Sequence, residues 1–68
     1  DDNIKGALEA LPDDFRMVIL LSIVEGFSYK EISKIVNCPV GTVMSRIYRG
    51  RKMLKEKLTG YARKYGFK

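Results

Sequence analysis

The sequence predicts an all-α, four-helix domain with a C-terminal helix-turn-helix, winged-helix-like but without a wing. Three observations predict it. Apolar residues recur at helical spacing along nearly the whole chain, and no stretch alternates as a strand would. The pattern Ser28-x-x-Glu31 is a helix-opening capping box, and Asn37-Cys38-Pro39 stops that helix soon after. A long basic segment follows at once, completing the succession of short helix, tight turn and long helix.

Taken in order, Ile4, Ala7, Leu8 and Leu11 stand at i, i+3, i+4 and i+7 and predict a first amphipathic helix over residues 1–10. Gly6 within it costs about 1 kcal/mol relative to Ala. Pro12 reads as the first residue of a second helix, where a missing N–H is harmless. Asp13 and Asp14 follow in the first turn, where negative charge suits the helix dipole. Phe15, Val18, Ile19, Leu20, Leu21, Ile23 and Val24 cover most of the circumference, which predicts a helix near the centre of the domain. Gly26 reads as its left-handed cap, with Phe27 folding back on the last turn.

The third helix opens at Ser28 and presents Tyr29, Ile32, Ile35 and Val36 as its apolar face. Asn37 tolerates the left-handed conformation, and Cys38 is pushed to extended geometry by the proline after it. A fourth helix starts near Val40 and runs for about twenty residues. At 100° per residue, Val43, Ile47, Gly50, Leu54, Leu58, Tyr61 and Tyr65 fall within about 80° of one another. Gly41, Ser45, Tyr48, Arg49, Lys52, Lys55 and Glu56 lie opposite. Gly60 is the point where the helix would fray, and Tyr61, Tyr65 and Phe67 read as packing against the first helix.

Sixty-eight residues allow one domain, 1–68, with the helix-turn-helix over about 28–58. Its charge is divided. Residues 1–37 carry seven acids and four bases (−3), whereas residues 38–68 carry nine bases and one acid (+8). That asymmetry points to a phosphate-rich partner, nucleic acid before anionic membrane. No apolar run approaches the ~20 residues that span a bilayer, and nothing resembles a signal peptide. A start without Met reads as a piece of a longer protein. The single cysteine, Cys38, excludes an internal disulfide and fits a reducing cytoplasm. The chain has no histidine, so it has no histidine base, triad or histidine metal site. Asp13 and Asp14 are adjacent on a helix and do not face each other. An enzyme, a cofactor and a metal are therefore not expected.

The second helix of a helix-turn-helix enters the major groove with its N-terminal residues toward the base edges. Gly41 lets the backbone approach a phosphate, and Thr42 with the first-turn N–H groups can bind one. Ser45, Tyr48 and Arg49 point outward one turn further in, and Arg49 can bridge O6 and N7 of a guanine. Lys52 and Lys55 are better placed for backbone phosphates. The acidic, apolar first half, with Leu8, Leu11 and Phe27 at its edges, is the surface a partner helix would cover. Arg16 reads as a structural salt-bridge partner.

Residues 11–54, LPDDFRMVILLSIVEGFSYKEISKIVNCPVGTVMSRIYRGRKML, resemble region 4, the C-terminal domain of group 4 (extracytoplasmic-function, ECF) bacterial sigma factors. The resemblance rests on LP-x-x-F-R at Leu11–Arg16, EG-x-S-Y-x-E-I at Glu25–Ile32 and P-V-G-T-V-x-S-R at Pro39–Arg46. It implies recognition of a promoter −35 element, with a GGAA-type core, as part of RNA polymerase holoenzyme in the bacterial cytoplasm. It also implies two protein partners, the flap of the polymerase β subunit and an anti-sigma factor. The GTVMSR spelling is similar to the subgroup governed by redox-sensing, zinc-containing anti-sigma factors.

Carried over by position, the base-facing residues are Met44, Ser45, Tyr48 and Arg49. The phosphate-facing ones are Pro39, Gly41, Thr42 and Arg46, with Tyr29 at the start of the third helix. Met44 stands where many members have Lys or Arg. It cannot donate a hydrogen bond, so any base contact it makes is apolar, as to a thymine methyl. The alternative is a LuxR-type helix-turn-helix output domain. Those domains tend to T-V-x-x-H in the recognition helix where this chain has T-V-x-S-R.

Overall fold

A computed structural model describes the backbone of residues 2–64 and the side chains of residues 3–59. It contains four helices: α1 (Asp2–Glu9), α2 (Asp13–Ile19, prolonged by a π-helical turn over Leu20–Val24), α3 (Tyr29–Val36) and α4 (Val40–Lys64). Among the described residues there is no strand, and no helix is long and apolar enough to cross a membrane.

The caps form where the sequence puts them. Ser28 Oγ accepts from the Glu31 N–H at 3.2 Å, and Glu31 Oε1 accepts from the Ser28 N–H at 2.9 Å. Asn37 takes the left-handed conformation (φ 57°), as does Gly26 (φ 74°). Pro12 differs: at φ −57° and ψ 149° it is the extended residue before α2 rather than its first helical one. Its carbonyl accepts from the N–H groups of Phe15 and Arg16 at 3.1 and 2.9 Å. Arg16 is the structural residue expected. It pairs with Asp13 and donates to the Glu9 carbonyl at 3.2 Å, fastening α2 to the end of α1.

The core is Val18 and Ile19 from α2, Ile32 from α3, and Val43 and Ile47 from α4, all fully buried. Ala7 and Leu11 are buried at the α1 end. Each of the buried Val, Leu and Ile side chains contributes about 1.5–3 kcal/mol on leaving water. From sequence, Leu11 is expected at an edge open to a partner; its burial makes it core instead.

The central element is α4, which packs against α1, α2 and α3. The second helix was expected there, and it is buried only in its middle. Ile23 and Val24 are 56% and 63% exposed, and Met17 is half exposed. The π-turn explains the end of the helix: the Glu25 N–H bonds to the Leu20 carbonyl five residues back, and the Phe27 N–H to that of Leu21. The wider turn takes up more residues per revolution. A strict 100° count therefore carries Ile23 and Val24 too far round. On α3, Ile32 is buried while Tyr29 and Ile35 remain exposed, so that helix's apolar stripe is narrower than four residues. On α1, Ile4 is exposed.

The fourth helix is 25 residues long rather than about twenty, and it continues through Gly60. The side chain of Tyr61, and all of Tyr65 and Phe67, lie outside the described residues.

Candidate nucleic-acid interface

The turn before α4 is held from both sides. The N–H groups of Asn37 and Cys38 both donate to the Ser33 carbonyl, and the Ser33 hydroxyl donates back to the carbonyl of Cys38. Pro39 then supplies the first acceptor of α4, taking the N–H groups of Thr42 and Val43 at 3.0 and 3.1 Å. By helix geometry, the N–H groups just ahead of these have no intrahelical partner. No acid stands in the first turn of α4, so nothing there competes with a phosphate.

From the turn onward α4 has two faces. Val43, Ile47 and Gly50 are buried. Gly50 is where α4 comes closest to α2: a Cβ built on it would meet Ile19 Cγ1 at 3.0 Å and Phe15 Cβ at 3.4 Å. With that side sealed, the other must face solvent. Pro39, Gly41, Met44, Ser45, Tyr48, Arg49, Lys52 and Lys55 are all exposed, Tyr48 to 72%. Around Gly41 the space is open, with nothing within 4 Å of a built Cβ.

Tyr29 is exposed at the start of α3. It borders a groove of about 690 Å3 with Met44 and Tyr48, over a floor that includes Ile47. Arg51, Lys52 and Lys55 form the cationic side of that groove. The fold thus brings Tyr29, Met44, Tyr48, Lys52 and Lys55 together, and sets Ser45 and Arg49 on the same exposed side of α4.

Two sequence-predicted residues stand apart. Thr42 is half-buried, and so is Arg46, whose Nη1 lies 3.3 Å from Cys38 Sγ. The guanidinium leans back on the turn rather than out along the exposed face. Cys38 packs at the edge of the core.

The sequence reading missed two contributors. Arg51 flanks the buried stripe, where sequence leaves it as ready to pair with the acidic half as to meet DNA, and in the fold it lines the groove. Its spacing of seven from Met44 is two helical turns, which is the signal that would have found it. Ser33 carries no sequence signal that sets it apart from its helix. Its hydroxyl bond to the turn becomes visible only once the chain has reversed.

The Ser28 N–H, and then its side chain, hold the Glu31 carboxyl below its ordinary value.

Comparison with known proteins agrees with this arrangement. The family "Sigma-70, region 4" matches residues 1–54. The ECF RNA polymerase sigma-E factors of Escherichia coli K12 and Salmonella typhimurium are 51% identical over 51 residues, 75% of this chain and 27% of theirs. The Haemophilus influenzae sigma-E factor is 50% identical over 48 residues, 71% of this chain and 25% of its own. The chain thus spans about a quarter of the length of these relatives. With the match covering the capped turn and the exposed half of α4, the chain belongs to the sigma-70 region 4 family, as the region 4 domain of an ECF sigma factor.

Proposed function

We propose that this domain binds the −35 element of promoter DNA, with α4 in the major groove, and so helps RNA polymerase begin transcription. The observation that carries the reading is the division of α4. One face is locked into the core at Val43, Ile47 and Gly50, and the other leaves Ser45, Tyr48, Arg49, Lys52 and Lys55 in solvent. A groove ~12 Å wide admits one helix with its side chains.

In this arrangement Met44, Ser45, Tyr48 and Arg49 face bases. Tyr29, Pro39, Gly41, Thr42, Lys52 and Lys55 face the backbone, and Arg46 joins them by swinging off Cys38. Phosphate contacts set the register and the base contacts specify the sequence. The domain acts by binding, in the bacterial cytoplasm, with no catalytic step of its own.

The whole sigma factor would also meet the β-subunit flap of the polymerase and an anti-sigma factor. The exposed Met17, Ile23 and Val24 offer apolar surface on α2 and its π-turn. The region 4 match favours this reading over a LuxR-type output domain.

Fluorescence anisotropy tests it, using a GGAA-containing duplex and a scrambled one at two salt concentrations. A preference that persists at the higher salt supports base readout. Equal binding that vanishes with salt would reduce α4 to a phosphate-binding surface.

A further inference from the structure

We infer that Met44 reads the C5-methyl group of a thymine, so that the domain recognises a methyl and not only hydrogen-bonding edges. The inference rests on the DNA-binding reading above and adds to it the chemistry of one base position.

Met44 lies beside Ser45 on the exposed side of α4 and is 51% exposed, although its neighbour Val43 is fully buried. About half of the Met44 residue is left open to solvent. It borders one groove with Tyr29 and Tyr48, over Ile47, so the surface around it is apolar as well. Arg51, Lys52 and Lys55 close the same groove on its other side. A ligand that fits must be apolar where it meets Met44 and anionic two to three helical turns further along α4, toward Arg51, Lys52 and Lys55.

Thymine in a duplex has that composition, a methyl group projecting from the base edge beside a phosphate chain. Thymine's methyl is the one apolar group that the four standard bases show in the major groove. A methionine side chain has no donor with which to choose among the polar edges. Its unbranched, polarizable chain adapts to a methyl more readily than to a polar atom. Such a contact responds to the methyl itself, so 5-methylcytosine would satisfy it too.

The test uses the full chain, its fold checked by circular dichroism. A preferred duplex is selected from a library randomised over the site, and each thymine in it is then replaced by deoxyuridine, which removes only the methyl. At one position binding should weaken about fourfold, the worth of one buried carbon group. Met44→Ala, a change at an exposed position, should bind the thymine and uracil duplexes equally. Cytosine at that position should bind better once it is 5-methylated, and only with Met44 present.

If the selected duplex lacks such a thymine, or every uracil substitution is neutral while sequence preference persists, the methyl inference falls and the DNA-binding reading stands. If Met44→Ala keeps the full thymine–uracil difference, the methyl belongs to another residue and the inference also falls. If selected and scrambled duplexes bind alike, the DNA-binding reading falls and takes this inference with it.

Discussion

Arg49 and Lys52 are one turn apart on the exposed side of α4, yet their substitutions should behave differently. Arg49 is placed to bridge a guanine. Arg49→Ala should therefore cost about 1–3 kcal/mol on the preferred duplex and relax discrimination at one base pair. Lys52 is proposed to meet only phosphate, so Lys52→Ala should weaken binding to every sequence and flatten the salt dependence by roughly one unit. Anisotropy on specific and scrambled duplexes separates them, and equal losses on both for Arg49→Ala would refute the proposed register.

Gly41 separates stability from binding at a single atom. It is helical with open space around it, so Gly41→Ala should raise stability by about 0.4–1 kcal/mol. The added methyl would also stand where a phosphate approaches the backbone. The expected outcome is a higher melting temperature with weaker DNA binding, and a gain in both would remove Gly41 from the interface.

At the level of elements, the capping box at the start of α3 decides whether the helix-turn-helix holds its shape. Ser28→Ala should cost about 1 kcal/mol. In a domain of this size that lowers the melting temperature by about 4–8 °C. Its partner makes the region sensitive to acid. The Ser28 N–H stabilises the ionised Glu31 carboxylate, so the folded pKa lies below the ordinary value of 4.5. The stabilisation is therefore complete above that value and is lost as pH falls below it through the folded pKa. Glu31→Gln keeps an acceptor for the Ser28 N–H but cannot titrate. Its melting temperature should fall less than that of the wild type between pH 7 and pH 3, and parallel curves would rule out a role for this carboxylate in the acid response.

The same scale shows what the sequence could and could not disclose. The caps at Ser28, Gly26 and Asn37 were legible because each depends on a residue type at a fixed offset. The two faces of α4 were legible because one period holds without interruption from Val43 to Leu58. The π-turn was not, because a run such as Leu20-Leu21-Ser22-Ile23-Val24 reads the same whether its turns hold four residues or five. Tyr29 and Ile35 share helical spacing with Ile32, but α3 packs chiefly on α4 and the π-turn, which is a property of the assembled fold. Arg46 leaning on Cys38 was hidden for a similar reason, since eight residues and a helix start separate the two.

For the molecule as a whole, the division of charge along the chain becomes a division in function: the basic half holds the reading helix, and most of the acids lie in α1–α3 or between them. Long-range attraction should therefore orient the domain before any base is touched. If Arg46, Lys52 and Lys55 each neutralise one phosphate, the logarithm of the binding constant should fall against the logarithm of salt with a slope of about −2.7. A slope near zero would show that these cations stay in solvent. The family match extends over residues 1–54. It therefore covers the core and the turn, and takes in every proposed contact except Lys55.

The close approach at Gly50 has a consequence for accuracy. Ile19 lies where the glycine's missing side chain would be, so α4 can neither roll nor slide on α2 without opening a gap or forcing an overlap. Side-chain tips on a helix lie about 5–6 Å from its axis, so a roll of about 10° would swing them by about 1 Å. A displacement of that size is enough to break a hydrogen bond. The tolerance with which Arg49 would meet a base in the proposed complex is therefore set on the opposite side of the helix, at a buried glycine.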